Sequence, residues 1–337
     1  MTDPITSDNI HLSEAIQARP ALKKSGDGCT EGSIAACVDP KISEFIIAAT
    51  ASATRRAYQS DIARYQAWGG RIPTEPEQVA RYLADHAATL SMATLARRLA
   101  GIRAAHVERG FPDPTKSEIV RVTFRGVRRK FGQPQRRVVA LSTGDLLAIV
   151  RSLGRSVRDV RDAAILLVGF AGAFRRSELV AIDRQNLEIG ESGVSIRIPR
   201  SKTDQEAHGR TLSIPRVPGA LCPVAALEEW LIKAVVIGGP VFRPVTKAGK
   251  ALPIRISPEA IARILKNRVE TIGCDSRGYS GHSLRAGFAT AASRSGVPLW
   301  RIRAQTGHLS DSMLERYIRE RESSSICAFK SISASAG

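Results

Sequence analysis

The sequence predicts a mainly α-helical protein with a small antiparallel sheet, an α+β arrangement in two domains. The chain has 337 residues, more than one hydrophobic core usually holds. Apolar residues recur at helical spacing through most of the chain, and the period falls to two only between residues 187 and 214. Hydrophobic residues make up 43% of the chain, which is enough for two packed cores.

The first domain is predicted at residues 41–131 as a helical bundle, after a disordered segment at 1–40 that is rich in Ser, Thr, Gly, Asp and Pro. The patterns at 74–77 and 115–118 are typical of capping boxes and predict where the second and fourth helices begin. The inward faces of the four helices are marked by Tyr58, Ile62, Tyr65 and Trp68; by Val79, Tyr82 and Leu83; by Leu95, Leu99 and Ile102; and by Val120, Phe124 and Val127.

Residues 115–137 are strongly basic and run from the fourth helix into a linker predicted at 132–141. They contain eight basic residues and a single acid, Glu118. A run of charge is often only a solvated helix face, but its place between two domains of a basic protein favours contact with phosphates. Apart from Lys116, the basic residues of this stretch are Arg121, Arg125, Arg128, Arg129, Lys130, Arg136 and Arg137.

The second domain is predicted at 142–321. It begins with the capping pattern Ser142-Thr143-Gly144-Asp145 and continues into a buried helix at 163–170. Helical patterns return after Pro223, after Pro258, at 283–293 and at 300–306. Between them, alternating apolar residues predict three short antiparallel strands. The strands are marked by Leu187 and Ile189, by Val194, Ile196 and Ile198, and by Thr211, Leu212 and Ile214.

Charge and composition restrict the classes of function. The net charge of +18 favours a polyanionic partner, either nucleic acid or an anionic membrane surface. The first 40 residues carry six acids and three bases, so the basic surplus belongs to the rest of the chain. The longest apolar stretch, at 163–174, is shorter than a membrane-spanning helix, and the acidic N-terminus differs from a secretion signal. The five cysteines lack metal-ligand spacing. We therefore expect a cytoplasmic protein without a membrane partner, a zinc site or disulfides.

Three short motifs offer groups for phosphodiester chemistry, which without a metal needs cations, a nucleophile and an acid. Arg175 and Glu178 stand three residues apart, on what we expect to be one helical face, where the acid can orient the guanidinium. His282 and Arg285 repeat this spacing after Gly281. The dipeptide Gly307-His308 follows, and Tyr317 lies nine residues beyond the histidine. Each motif alone is more often an ordinary surface pair or a core residue.

The order of these motifs, with a hairpin lysine after the Arg-x-x-Glu pair, resembles the tyrosine recombinase (phage integrase) family. The resemblance covers residues 45–330. Within the family, the stretches at 280–287 and 317–319 look most like Cre-type members, whereas His308 is similar to the histidine of Xer-type members and most integrases.

The resemblance implies a role for each matched residue. Arg175 and Arg285 would bind the scissile phosphate, and Glu178 would orient Arg175. Lys202 would be the general acid toward the 5′-oxygen, with Lys233 and Lys247 as alternatives for the hairpin lysine. The remaining matches are His282 as a proton-handling residue, His308 as a donor to a phosphate oxygen, and Tyr317 as the nucleophile.

The resemblance also implies the reaction and the partners. Two transesterifications would pass through a 3′-phosphotyrosyl bond and a Holliday junction, without metal, nucleotide or other cofactor, in integration, excision or resolution. The partner would be double-stranded DNA of the nucleoid or of a mobile element, clamped between two basic domains, with a tetramer on two specific sites. The tail at 322–337 would be either an exchanged helix anchored by Ile326, Phe329 and Ile332 or a frayed Ser-rich end.

Two other functions fit part of the sequence. A type IB topoisomerase uses similar residues to nick and reseal one strand, but the helical first domain and the possible exchange tail favour recombination. A DNA-binding regulator without catalysis would not need the complete set of matched residues.

Overall fold

The computed structural model describes residue 41 and residues 44–45, 49–133, 138–199 and 209–307 of the chain. The segment predicted at 1–40 and the tail at 322–337 lie outside these residues. The chain divides into two compact units, Met1–Gln135 and Arg136–Gly337. The predicted fold class is confirmed: eleven α-helices and a three-stranded antiparallel sheet lie within the described residues.

The first unit contains four α-helices: α1 (Ser52–Ala67), α2 (Pro76–Asp85), α3 (Met92–Glu108) and α4 (Glu118–Phe131). Helix α1 packs against α3, and α2 packs against α4. The residues predicted to face inward are buried or half-buried between these helices, and they include the fully buried Tyr65, Tyr82 and Leu95. The four helices thus share one core, as their apolar spacing predicts.

The two capping boxes predicted in this unit are wrong. Helix α2 is preceded by Glu75, and its N-terminus has no side-chain cap. The Thr74 hydroxyl instead lies 2.8 Å from the Tyr65 hydroxyl, and the Thr74 backbone N–H donates to His106 Nε2 at 3.0 Å. Similarly, α4 follows Ser117, and the Thr115 hydroxyl donates to Asp113 Oδ1 at 2.6 Å. Tertiary and loop partners therefore compete successfully for these two hydroxyls.

The second unit alternates helices with one small sheet. Its helices are α5 (Thr143–Ser152), α6 (Val157–Ala171), α7 (Arg176–Ala181), α8 (Pro223–Lys233), α9 (Pro258–Thr271), α10 (Ser283–Arg294) and α11 (Leu299–Thr306). The strands β1 (Leu187–Ile189), β2 (Gly193–Ile198) and β3 (Arg210–Pro215) pair in the order β1-β2-β3. The predicted cap at Ser142 is confirmed, because its hydroxyl accepts the Asp145 N–H at 2.9 Å.

The sheet turns one face toward the core of the second unit. Val194 pairs with Ile214 and Ile196 pairs with Leu212, and all four side chains are buried with those of α6 and α8. Helix α10 packs against α6 and α11. Hydrogen bonds bring five parts of this unit together: the C-terminal ends of α6 and α11, the N-terminal end of α10, and the first residues of α7 and β3. No helix among the described residues has the length and apolar character to span a membrane.

Candidate active site

The site is built on the turn that ends α6. The Ala173 N–H donates to the Phe170 carbonyl at 3.0 Å, and the Phe174 N–H donates to the Gly169 carbonyl at 3.2 Å. This pair of bonds is a Schellman motif, which requires a left-handed residue after the helix. Ala173 adopts that conformation with φ of 48° although it is not glycine, and it is completely buried. The turn fixes the direction of the next residues, among them Arg175.

Arg175 is the residue before α7 and has extended backbone dihedrals. The expectation that Arg175 and Glu178 share a helical face is therefore wrong, although their contact is real. The Glu178 carboxylate accepts the Arg175 backbone N–H at 3.0 Å and the Arg175 Nη1 at 2.5 Å. Glu178 lies in the first turn of α7, so that one carboxylate both caps the helix and orients the guanidinium. The Arg175 side chain is only 13% exposed.

Arg285 reaches the same turn from α10. Its Nη1 donates to the Ala173 carbonyl at 3.0 Å, and the residue is 2% exposed. His282 immediately precedes α10 and is exposed, and its carbonyl accepts the Ala286 N–H at 2.9 Å. His282 and Arg285 thus both lie at the start of α10, but His282 is exposed whereas Arg285 is buried. A Cβ at Gly281 would lie 1.8 Å from Arg176 Cδ, so a larger residue there would displace the Arg176 side chain.

A further arginine, which the sequence analysis missed, completes the cluster. Arg210, the first residue of β3, places Nη2 3.5 Å from Glu178 Oε2. Its Nη1 donates to the Gln305 carbonyl at 2.9 Å, at the end of α11. Burial lowers the pKa of the Arg210 guanidinium, while the charge of Glu178 acts in the opposite direction. One signal could have found it: Arg210 stands two residues before Leu212 and four before Ile214, on the inward face of the strand.

The C-terminal end of α11 adjoins both arginines. Gly307 follows the helix in the left-handed conformation, with φ of 65°. Its carbonyl accepts Arg175 Nη2 at 3.2 Å. The structure thus brings together Arg175, Glu178, Arg210 and Arg285, with His282 at the start of the helix that carries Arg285. Buried guanidinium groups held by a carboxylate and by carbonyls are suited to binding an anionic phosphate.

Lys202, His308 and Tyr317 lie outside the described residues, so the structure does not test their assignments. The alternatives to Lys202 lie later in the chain, after β3. Lys233 ends α8 and its Nζ donates to the Arg155 carbonyl at 2.5 Å, and Lys247 is exposed in a loop after that helix.

The basic residues predicted to contact DNA line the exposed surface of α4. Arg121 and Arg125 are mostly exposed and lie 3.2 Å and 3.4 Å from Glu118. The Arg128 guanidinium stacks over the Phe124 ring at 5.1 Å, which leaves its edge available for other partners. Arg129 and Lys130 are also exposed. Arg136 and Arg137 lie outside the described residues.

Comparison with known proteins relates the chain to one family. The profile of the phage integrase family matches residues 141–324. The chain is 36% identical over 278 residues to an integrase/recombinase xerD homolog of Selenomonas ruminantium, covering 79% of this chain and 81% of that protein. It is 26% identical over 272 residues to recombinase cre of Escherichia phage P1, covering 75% and 78%.

A similar fold occurs in a solved structure of lambda integrase, a tetramer bound to a Holliday junction. The TM-score is 0.57 at 16% identity, and the likeness covers 82% of this chain and 75% of that chain. At this identity the likeness concerns the fold alone.

Proposed function

The chain belongs to the phage integrase family of tyrosine-type site-specific DNA recombinases, and we propose that it cleaves and rejoins DNA with Tyr317 as the nucleophile. The observation that carries this proposal is the pair of largely buried arginines, Arg175 and Arg285, which are fixed on either side of one turn. Arg175 follows Ala173 by two residues, and Arg285 donates to the Ala173 carbonyl at 3.0 Å. Each guanidinium group is already held by a protein acceptor, which would preorganise it for binding a phosphate.

In this proposal the two arginines stabilise the charge that develops on the scissile phosphate. Glu178 keeps Arg175 in position, and His308 donates to a phosphate oxygen. Tyr317 attacks phosphorus, its phenolic proton passes to His282, and Lys202 protonates the departing 5′-oxygen. The products are a 3′-phosphotyrosyl bond and a free 5′-hydroxyl. The 5′-hydroxyl of a partner strand then attacks the phosphotyrosine, and Tyr317 leaves with its proton restored.

We propose that the substrate is double-stranded DNA with a specific recombination site, in the nucleoid or in a mobile element in the cytoplasm. The exposed basic surface of α4 supports phosphate contacts by Arg121, Arg125, Arg128, Arg129 and Lys130, and we extend this role to Arg136 and Arg137. The lambda integrase tetramer on a Holliday junction supports a tetramer on two sites as the working assembly.

We also propose a division of labour along the chain. Residues 41–131 form the DNA-clamp domain, 132–141 the basic linker and 142–321 the catalytic domain, between an N-terminal segment at 1–40 and a tail at 322–337. The end of α4 at Phe131 and the start of α5 at Thr143 support the position of the linker.

The proposal is tested by trapping the covalent intermediate. The protein is incubated in EDTA, without nucleotide, with nicked suicide substrates that carry candidate sites from the DNA flanking its gene. We expect a covalent adduct on denaturing gels from the unmodified protein and none from Tyr317→Phe. Tyr279→Phe is the control, because burial raises the pKa of the Tyr279 hydroxyl and disfavours the phenolate. An adduct that survives Tyr317→Phe would overturn the assignment of the nucleophile.

A second assay separates recombination from resealing of a single strand. Two substrates of different length, each with one site, are mixed with the protein. Recombination predicts products that join the two substrates, through a four-way junction. Adducts without joined products would indicate a topoisomerase-like activity, and tight binding without adducts would indicate a regulator.

A further inference from the structure

Arg210 lies where three parts of the second unit meet, and none of the motifs in the sequence includes it. Its guanidinium extends from the first residue of β3 toward α7 and the end of α11. Nη2 is 3.5 Å from Glu178 Oε2, and Nη1 is 2.9 Å from the Gln305 carbonyl and 3.3 Å from the Ala304 carbonyl. The side chain is only 22% exposed. One guanidinium therefore connects the carboxylate that orients Arg175 to the last turn of α11.

The contact with α11 is favourable and directional. The carbonyls at the C-terminal end of a helix have no partner within the helix and carry a partial negative charge. Arg210 donates to two of these carbonyls, and Arg175 Nη2 donates to the carbonyl of Gly307, the residue that follows the helix, at 3.2 Å. A Cβ at Gly307 would lie 3.0 Å from Arg210 Nη1, so a side chain there would push the guanidinium slightly away from the helix end. Two arginines thus fix the segment that leads directly into His308.

The arrangement also carries a cost. Arg210 and Arg175 share the carboxylate of Glu178, and Arg175 adds to the lowering of the Arg210 pKa that burial causes. The buried Arg210 Nε has no hydrogen-bond partner among the described residues. Buried like charges with an incomplete set of partners contribute little to stability and are often neutral or unfavourable beside an apolar replacement. Stability alone therefore does not explain why this position holds an arginine.

We propose that Arg210 is a positioning residue for cleavage, which holds the end of α11 at Gly307 beside the Arg175 guanidinium. This inference rests on the proposed function. Because Arg210 acts through Glu178 and the backbone of α11, its loss is expected to slow the reaction of bound DNA rather than to weaken DNA binding. A displacement of about 1 Å at a reacting centre can cost on the order of 100-fold in rate.

The experiment compares two arginines at opposite ends of the same strand. Arg216 follows β3 and forms an exposed ion pair with Glu228 at 2.7 Å, so that Arg216→Gln is a matched control for Arg210→Gln. Adduct formation is followed in single turnovers on the nicked substrate over a range of enzyme concentrations. We expect R210Q to lower the saturated rate about 30-fold while the half-saturating concentration changes less than about threefold. R216Q is expected to keep both values.

The conservative variant Arg210→Lys provides a second test and does not depend on the folding of R210Q. Lysine keeps the charge but lacks the planar fork that donates to both partners, so we expect partial recovery, to within about tenfold of the unmodified rate. Unchanged rates in both Arg210 variants would overturn the inference, as would a loss confined to DNA binding. If the unmodified protein formed no adduct, the proposed function itself would fail, which distinguishes the two results.

Discussion

Asp61 in the first unit and Glu178 in the second are both buried carboxylates, and each pairs with more than one arginine. The arginines are Arg64, Arg97 and Arg98 at Asp61, and Arg175 and Arg210 at Glu178. The Asp61 side chain is fully buried, and Arg97 binds it through two nitrogens at 2.7 Å and 2.9 Å. Arg98, also on α3, places Nε 3.9 Å from Asp61 and donates to the Tyr82 hydroxyl. This cluster ties α1 to α3 and to one side chain of α2, all within a single helical core.

The arginines around Glu178 have different further partners. Arg175 and Arg210 come from a turn and a strand, and both donate to backbone carbonyls at the end of α11. Of the two, Arg175 belongs to the site proposed to bind phosphate, and Arg210 is proposed to position that site. The difference suggests that the same ion-pair chemistry serves helix packing in the first unit and the arrangement of reacting groups in the second. Variants of the two carboxylates can therefore separate stability from activity.

The largest effect on stability is expected from Asp61→Asn. An amide cannot neutralise Arg97 and Arg98, and Arg98 would remain as a buried cation with a side chain only 9% exposed. Breaking a buried ion pair costs about 3–5 kcal/mol, and the half-exposed Arg97 places this case at the lower end, about 3 kcal/mol. Hydrogen exchange measures the effect locally: amides of α3 should lose protection, while those of α6 in the second unit should keep it.

Asp85→Asn is the matched control for this variant. Asp85 is exposed and accepts the Trp68 indole N–H at 3.2 Å, the one hydrogen bond of its side chain within the described part of the chain, and asparagine can still accept this bond. We expect α3 to exchange as in the unmodified protein. Equal protection of α3 in Asp61→Asn would show that the buried cluster does not stabilise the first unit.

Much of this fold can be predicted from the spacing of apolar residues, because that spacing shows which side chains of each helix or strand will be buried. The alternation of Val194, Ile196 and Ile198 predicts β2, and each of these side chains is buried in the sheet. Predictions that depend on one polar contact were less successful. The Thr74 hydroxyl meets Tyr65 and not the start of α2, since a side chain distant in sequence offers a competing partner.

The site was predictable to the extent that its residues lie in short motifs. Arg175 and Glu178 are three residues apart, and their ion pair was predicted, although not the extended backbone at Arg175. Arg210 comes 32 residues after Glu178, and only the folded chain brings the two together. The signal in the sequence is a basic residue two positions before Leu212, on the inward face of β3. A search for alternating apolar residues places such a residue before the strand and not within it.

Glu178→Gln is expected to affect activity more than stability. Glutamine keeps one oxygen as an acceptor for Arg175 but removes the charge that both arginines share. We expect the saturated rate of adduct formation to fall about 100-fold, as for the loss of one preorganised electrostatic contact in an active site. Single-turnover cleavage measures the rate, and protection of α6 amides reports the fold. Loss of that protection in parallel with activity would contradict the contrast with Asp61.

The smallest effect is expected from an exposed pair of the same chemistry. Glu228 accepts both terminal nitrogens of Arg216, at 2.9 Å and 2.7 Å, and each side chain is about one third exposed. The Arg216 hydrogen bonds lower the pKa of Glu228 below its usual 4.5. The pair therefore stabilises the folded state above about pH 4.5, and this contribution disappears as the pH falls through the lowered pKa.

Solvent screens such a pair, so Glu228→Gln should lower the unfolding midpoint by about one degree or less at neutral pH. The difference from the unmodified protein should be smaller at a pH well below 4.5, because protonation makes the Glu228 side chain neutral like that of glutamine. Thermal unfolding followed by circular dichroism at the two pH values measures it. A loss at neutral pH as large as that of Asp61→Asn would mean that burial does not determine how much an ion pair of a carboxylate and arginine stabilises this fold.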